Sequence, residues 1–154
     1  MTKLCSDVLN ALSGKTLVTA ESLTGGGIGA ALTAVSGASS VYKGGVISYT
    51  NQVKEHILSV PGDVLAQHGA VSAPVAEAMA VGVRKLLNAD VAVSVTGLAG
   101  PGGDAYGNPV GTVYIGYADE KQSLSVHRIF TGTREEVRQQ TIAAALKLVL
   151  SQNP

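Results

Sequence analysis

A serine, a tyrosine and a lysine stand at positions where side chains can do chemistry. Ser22 ends the strand-like run GKTLVTAES and precedes the glycine-rich segment LTGGGIGA. Tyr49 ends a second strand-like run, and Lys54 follows at the start of a predicted helix. A serine hydroxyl is a poor nucleophile until a base takes its proton, and a buried neutral lysine or a tyrosine phenolate can be that base. The set indicates acyl or amide chemistry with Ser22 as nucleophile, and leaves open whether Lys54 or Tyr49 is the base.

These three residues have two other interpretations. Ser22 also suits a helix cap, Tyr49 a strand aromatic and Lys54 a solvated surface lysine, so spacing alone makes catalysis a hypothesis. Short-chain dehydrogenases use a serine, a tyrosine and a lysine as well. Their tyrosine and lysine lie four residues apart on one helix, whereas Tyr49 and Lys54 lie five apart across a strand end, so that interpretation fails.

The glycine-rich segment after Ser22 predicts a site for negative charge. Backbone N–H groups at the start of a helix bind phosphates and stabilise oxyanions. We expect a helix over 24–37, with the N–H groups of Thr24, Gly25 and Gly26 facing either a phosphate or the oxyanion of a tetrahedral intermediate. The same donors do not serve both, and the sequence leaves the choice open.

Two familiar phosphate motifs do not explain this segment. SGKT at 13–16 resembles the end of a P-loop, but Leu9 stands where the motif needs a glycine, and the segment precedes a strand instead of following one. GGGIGA at 25–30 has the form of the dinucleotide fingerprint, but the acidic residue expected about 20 positions later is absent. A mononucleotide or a single phosphate stays open as the ligand.

The predicted elements bring the candidate residues to one edge of a sheet. Apolar periodicity predicts the order α-β-α-β-α-α-β-β-β-α, with strands over 15–20, 43–50, 89–97, 110–118 and 122–130. This order implies one domain, 1–154, folded as a three-layer α/β/α sandwich around a mixed, mostly parallel sheet with one antiparallel edge. Ligands of such sheets bind at the carboxyl ends of the parallel strands. Ser22, Tyr49 and the loop that leaves Gly97 follow the first three strands at that edge.

The loop over 97–109 is long and has no regular pattern, which is more typical of a functional loop than of an idle one. Its glycines suit a close approach of the backbone to a ligand. We therefore place Gly97 and Gly100 among the candidate substrate-binding residues.

Two arginines on the last predicted helix complete the candidate site. Arg134 and Arg138 lie one turn apart and share a helix face, which suits bidentate binding of a phosphate. The alternative is a solvated pair beside Glu135 and Glu136.

Composition limits the function classes. Hydrophobic residues make up 45% and charged ones 14%, a globular balance, and Lys plus Arg equals Asp plus Glu at eleven each. We therefore expect no nucleic-acid partner and no membrane partner. A single cysteine, Cys5, a polar N-terminus and the lack of a long apolar run favour a cytoplasmic protein, and the apolar fraction favours a homo-oligomer. The three histidines lack ligand spacing, so we predict no metal and no cofactor.

Longer motifs make the chain resemble a known family. TAES with TGG, GGVISYTNQVK with GAVS downstream, GLAGPGG, PVGTVYIGYA and the closing arginine pair occur in the order found in the CinA C-terminal domain. The match runs from about Thr19 to Arg138. In stand-alone form this domain is the PncC-type nicotinamide mononucleotide amidohydrolase. One departure is Leu23, where the family commonly has cysteine.

The resemblance implies an activity and roles for residues. The expected reaction is deamidation of nicotinamide mononucleotide (NMN) to nicotinate mononucleotide and ammonia, a step in pyridine nucleotide salvage, by a metal-independent serine mechanism. The resemblance makes Ser22 the nucleophile and Lys54 its base, with Tyr49 relaying the proton or holding the lysine. Two alternatives stay open: a catalytically inactive nucleotide-binding or regulatory module, and a hydrolase for another small amide.

Overall fold

Five strands form a single sheet, and α-helices pack on both of its faces. The computed structural model describes residues 1–154. The strands are β1 (Leu17–Glu21), β2 (Tyr42–Ile47), β3 (Val91–Gly97), β4 (Thr112–Ala118) and β5 (Ser123–Ile129). The helices are α1 (Thr2–Ala11), α2 (Gly27–Thr33), α3 (Asn51–His56), α4 (Gly62–His68), α5 (Ala73–Leu86) and α6 (Arg134–Gln152), and a 3₁₀ turn covers Ala38–Ser40.

The sheet is mixed, with the strand order β2-β1-β3-β4-β5. Strand β1 lies in the centre of the parallel part and pairs with β2 and β3. Strand β4 runs antiparallel to both β3 and β5, so four of the five strands point in one direction. The predicted three-layer fold and mostly parallel mixed sheet are confirmed. The antiparallel part includes the β3–β4 pairing as well as the hairpin at the edge.

Two apolar cores cover the two faces of the sheet. The larger core joins α1, α2 and α6 to side chains such as Leu17 and Val93. The smaller core joins α4 and α5 to side chains such as Val18 and Ala92. Neighbouring residues of one strand therefore enter opposite cores, as expected of a strand that is covered on both faces. None of the helices combines the length and apolarity that a membrane crossing requires.

The boundaries near the candidate site differ from the predicted ones. The helix expected from residue 24 begins at Gly27. Gly25 and Gly26 before it have positive φ angles of 58° and 100°, a conformation that residues with a side chain rarely adopt and that is not helical. The strand expected over 43–50 ends at Ile47, so Tyr49 lies in the connection to α3.

Helix α5 packs so closely on the sheet that a side chain at Gly116 would not fit between them. A Cβ atom added to Gly116 of β4 would lie 2.1 Å from the carbonyl oxygen of Ala76 and 2.4 Å from the hydroxyl of Ser94. The same hydroxyl donates a hydrogen bond to that carbonyl, which ties α5 to β3.

We therefore expect Gly116→Ala to lower the free energy of unfolding by about 1–3 kcal/mol, because the new methyl group forces α5 away from the sheet. Urea unfolding followed by circular dichroism measures the change. Gly102→Ala is the matched control, since a Cβ atom there meets nothing within 4 Å. Equal destabilisation by the two substitutions would contradict the close packing described here.

Candidate active site

The carboxyl ends of β1 and β2 place two serines side by side. The parallel register pairs Glu21 with Ile47, so Ser22 and Ser48 leave the sheet at the same level. The Ser48 N–H donates to the Glu21 carbonyl oxygen at 2.7 Å, which continues the pairing past the strand ends. Lys54, on the helix that follows β2, reaches back to this point.

The Lys54 amine is buried and makes three hydrogen bonds. Its Nζ lies 3.0 Å from Ser22 Oγ, 2.7 Å from the carbonyl oxygen of Ser48 and 3.2 Å from that of Tyr49. Lys54 is 1% exposed and Ser22 is 7% exposed. Of the predicted catalytic residues, the structure thus brings the serine and the lysine into direct contact.

No carboxylate lies within ion-pair distance of this amine. The ion pairs of the chain are Lys3–Asp7 and Arg138–Glu135, both on helix surfaces. Burial without an opposite charge disfavours the ammonium form and lowers the pKa of Lys54 from an ordinary 10.5 to about 8. The amine is therefore able to lose its proton near neutral pH.

The two carbonyl groups also orient the neutral amine. A carbonyl oxygen only accepts hydrogen bonds, so the two N–H bonds of a neutral Lys54 point at Ser48 and Tyr49. The nitrogen lone pair then faces the third partner, Ser22 Oγ. This arrangement is that of a general base hydrogen-bonded to a nucleophile.

The lowered pKa of Lys54 predicts a pH dependence of stability. Between pH 8 and 10.5 the unfolded chain holds the lysine proton and the folded chain does not, so raising the pH stabilises the folded state. Relative to Lys54→Met, the free energy of unfolding of the wild type should rise across this window, by at most about 1.4 kcal/mol per pH unit. Urea unfolding of both proteins at several pH values measures it. A constant difference between them would show that Lys54 titrates normally.

Glu21 is a buried carboxylate that the sequence analysis missed. It is 2% exposed and accepts hydrogen bonds from the Thr24 hydroxyl at 2.6 Å and from the N–H groups of Ile28 and Gly29 at 2.8 and 3.1 Å. It therefore caps the start of α2, where a negative charge also favours the helix dipole. The signal in the sequence was a charged residue at the end of an otherwise apolar strand, directly before Ser22.

The N–H groups at the start of this helix divide into engaged and free donors. Those of Ile28 and Gly29 are bonded to the capping carboxylate and are not available to a substrate phosphate. The Gly25 N–H donates to the Ser22 carbonyl at 3.1 Å and is also engaged. The N–H groups of Leu23, Thr24 and Gly26 have no partner within the chain. These three donors, beside the serine hydroxyl, are the ones open to an oxyanion.

The phenol of Tyr49 is not part of the serine–lysine contact. Its side chain is 60% exposed, and its hydroxyl lies 3.4 Å from a guanidinium nitrogen of Arg134. Tyr49 holds Lys54 through its main-chain carbonyl, so any residue type at this position supplies that bond. Of the two roles predicted for Tyr49, the contact seen here is the one that holds the lysine, and the phenol faces Arg134.

The two arginines predicted to bind a phosphate have different partners within the chain. Arg138 donates from Nε to the Leu23 carbonyl at 3.0 Å and from Nη2 to the Thr24 carbonyl at 3.1 Å, and its other Nη pairs with Glu135. Three of its five N–H groups are thus engaged within the protein. Arg134 donates to the Gly100 carbonyl at 2.6 Å and remains exposed toward Tyr49.

The fold itself explains why glycine stands at the two candidate positions of the 97–109 loop. A Cβ atom on Gly97 would lie 2.8 Å from the Thr112 carbonyl oxygen, so the neighbouring strand requires this glycine. Gly100 has a φ of 101° and contributes its carbonyl to Arg134. Both follow the carboxyl end of β3, at the same edge of the sheet as Ser22, and the fold itself accounts for the glycine at each position.

The same loop is fastened to α4 and to the segment after it. The Tyr106 hydroxyl donates to the Ala66 carbonyl at 2.9 Å, and the Asn108 amide donates to the Val71 carbonyl at 3.0 Å. The Asp104 carboxylate accepts from both Tyr106 and Asn108 and closes the loop on itself. These hydrogen bonds fix the loop against α4 and residues 69–72. Residues 1–154 contain no group of three or more histidine, cysteine, aspartate or glutamate side chains placed to hold a metal ion.

Comparisons with known proteins point to one family. The family model of the CinA C-terminal domain matches residues 1–152. A CinA-like protein of Synechococcus sp. (strain CC9311) is 62% identical over 114 residues, which cover 73% of this chain and 27% of that protein. A CinA-like protein of Geobacter sp. (strain M21) is 49% identical over 140 residues, which cover 90% of this chain and 34% of that protein. The chain thus spans about a third of the length of these curated relatives.

Solved structures resemble the whole chain. A competence-damaged protein (CinA) superfamily protein from Klebsiella pneumoniae superimposes with a TM-score of 0.95 at 35% identity, over 98% of this chain and 96% of the other. The competence/damage inducible protein CihA from Agrobacterium tumefaciens gives a TM-score of 0.94 at 36% identity, over 99% and 95%. The chain belongs to the CinA C-terminal domain family.

Proposed function

We propose that this chain is a serine amidohydrolase that converts NMN and water to nicotinate mononucleotide and ammonia. One observation carries the chemistry: the buried Lys54 amine lies 3.0 Å from Ser22 Oγ without a carboxylate to hold it charged. The choice of NMN as substrate is supported by the motif resemblance to the amidohydrolases of this family.

In the first half of the proposed reaction, neutral Lys54 takes the hydroxyl proton as Ser22 Oγ attacks the carboxamide carbon. The tetrahedral oxyanion receives hydrogen bonds from free N–H groups of the segment after the serine, such as that of Thr24. The Lys54 ammonium then gives its proton to the amide nitrogen. The C–N bond breaks, ammonia leaves, and the nicotinoyl group remains as an ester on Ser22.

The second half repeats the proton transfers with water. Neutral Lys54 takes a proton from a water molecule, which attacks the ester carbon. The intermediate collapses with Ser22 Oγ as leaving group, and Lys54 returns the proton to it. Nicotinate mononucleotide is released, and Ser22 and Lys54 return to their initial protonation states.

Two side chains at the rim suit the remaining parts of NMN. Arg134 keeps guanidinium N–H groups exposed, as binding of a 5′-phosphate requires. Tyr49 offers an exposed ring next to it, on which a cationic pyridinium ring gains a cation–π contact. We assign phosphate binding to Arg134 rather than to both arginines.

We expect turnover of NMN to depend on both Ser22 and Lys54. Wild type in the presence of a chelator should release ammonia from NMN, and Ser22→Ala and Lys54→Met should lose activity by at least about 1,000-fold, because each removes one half of the nucleophile–base pair. A coupled assay for ammonia measures it. A folded wild type that binds NMN in calorimetry without releasing ammonia would identify a binding module instead, and activity with another amide alone would correct the substrate.

The kinetic pH profile follows from the same lysine. Since the neutral amine is the active form, kcat/KM should rise with pH and level off above a pKa of about 8. Initial rates between pH 6 and 9.5 test this. A profile that is flat through pH 8 would remove Lys54 as the base.

The geometry also separates Tyr49 from the proton transfers. Tyr49→Phe should change kcat by less than about threefold, because the main-chain carbonyl that holds Lys54 remains. Steady-state kinetics with NMN measures it. A loss of 100-fold or more in kcat would return the phenol to the catalytic set.

A further inference from the structure

We propose that Arg138 is a positioning residue that holds the oxyanion-binding N–H groups of the nucleophile loop in place, and that it is not a phosphate ligand. The nucleophile loop is the segment 22–26 between β1 and α2. The proposal deepens the function proposed above and rests on Ser22 being the nucleophile.

The contacts of Arg138 all lie within the protein. Its Nε and Nη2 donate to two consecutive carbonyl oxygens of the loop, those of Leu23 and Thr24, at 3.0 and 3.1 Å. The other Nη pairs with Glu135 on the same helix. Three of the five guanidinium N–H groups of Arg138 are therefore engaged within the chain, whereas Arg134 one turn earlier is an exposed residue.

These two bonds set the direction of the loop N–H groups. The Leu23–Thr24 peptide is trans, so its C=O and N–H point in opposite directions. With the Leu23 carbonyl held toward Arg138, the Thr24 N–H points away from the guanidinium and has no acceptor in the chain. With the Thr24 carbonyl held as well, the Gly25 N–H closes the turn onto the Ser22 carbonyl at 3.1 Å.

The loop needs such an external clamp. Gly25 and Gly26 lack Cβ atoms and have positive φ angles, so the backbone beside them rotates more freely than elsewhere. Rotation of the Leu23–Thr24 peptide would replace an N–H by a carbonyl oxygen, which repels an oxyanion. Glu21 accepts a hydrogen bond from the Thr24 hydroxyl, so the side chain of this residue is held as well as its carbonyl.

A planar arginine fork suits this task better than a lysine. Two parallel N–H donors of the guanidinium match two consecutive carbonyl oxygens, while an ammonium is a single point of contact. Arg138→Lys keeps the charge but not the double contact, and so separates geometry from electrostatics.

The test compares Arg138→Ala with Arg134→Ala, the same substitution one helical turn away. For Arg138→Ala we expect kcat on NMN to fall by about 100-fold, the effect of losing an oxyanion donor, with KM changed less than about threefold. Millimolar ethylguanidinium should restore part of that kcat. For Arg134→Ala we expect a raised KM for NMN and a smaller change for nicotinamide riboside, which lacks the phosphate.

A second probe separates this inference from the choice of substrate. Para-nitrophenyl acetate transfers its acetyl group to Ser22 Oγ, the ester C–O bond breaks, and p-nitrophenolate leaves while Lys54 takes the serine proton. Wild type should show this acylation, and Arg138→Ala should slow it by a factor similar to the loss in kcat. Acylation by a wild type that does not hydrolyse NMN would reject the substrate and retain the role of Arg138.

Three results would overturn the proposal. Equal acylation rates in wild type and Arg138→Ala would show that the loop needs no clamp. A raised KM with unchanged kcat, together with loss of the preference for NMN over the riboside, would make Arg138 a phosphate ligand. Absence of acylation in folded wild type would remove the nucleophile itself. Thermal unfolding checks that each variant is folded, and Arg138→Lys replaces Arg138→Ala if the latter is not.

Discussion

The site depends on one constraint: the Lys54 amine is buried where only uncharged acceptors reach it. A carboxylate in contact would stabilise the ammonium form and hold the proton on the lysine. The fold instead supplies two main-chain carbonyls from the end of β2 and one serine hydroxyl from the end of β1. The parallel register of these two strands sets that geometry, and the apolar cores on both faces fix the register.

The carboxylate that precedes Ser22 in the sequence makes its hydrogen bonds away from the lysine. Glu21 is adjacent to Ser22 in sequence, yet its carboxylate accepts its hydrogen bonds from Thr24 and the start of α2. Each of the two buried ionisable groups is therefore satisfied separately. The helix gains its cap, the lysine keeps a lowered pKa, and the N–H groups of the loop between them stay without internal partners.

Much of this was predictable from the sequence, because strand periodicity and the rule on strand ends are local patterns. These patterns predicted the three-layer fold and the proximity of Ser22 to Lys54. The later start of α2 was not predictable, since it depends on two successive glycines adopting positive φ. The hydrogen bonds of Arg138 to the loop were not predictable either. They join residues 115 positions apart, and their acceptors are main-chain carbonyls, which carry no sequence signal. The same holds for Tyr49, whose carbonyl and not its phenol contacts the lysine.

The most direct test of this account is the titration of the Lys54 side chain itself. Protein labelled with carbon-13 at lysine Cε gives one NMR signal per lysine, and Lys54→Met identifies the signal that belongs to Lys54. The account predicts that this signal titrates with a pKa of about 8, well below the other lysines of the chain. Titration near the ordinary value of 10.5 would mean that the amine stays charged at neutral pH, and would contradict the role of Lys54 as the base that activates Ser22.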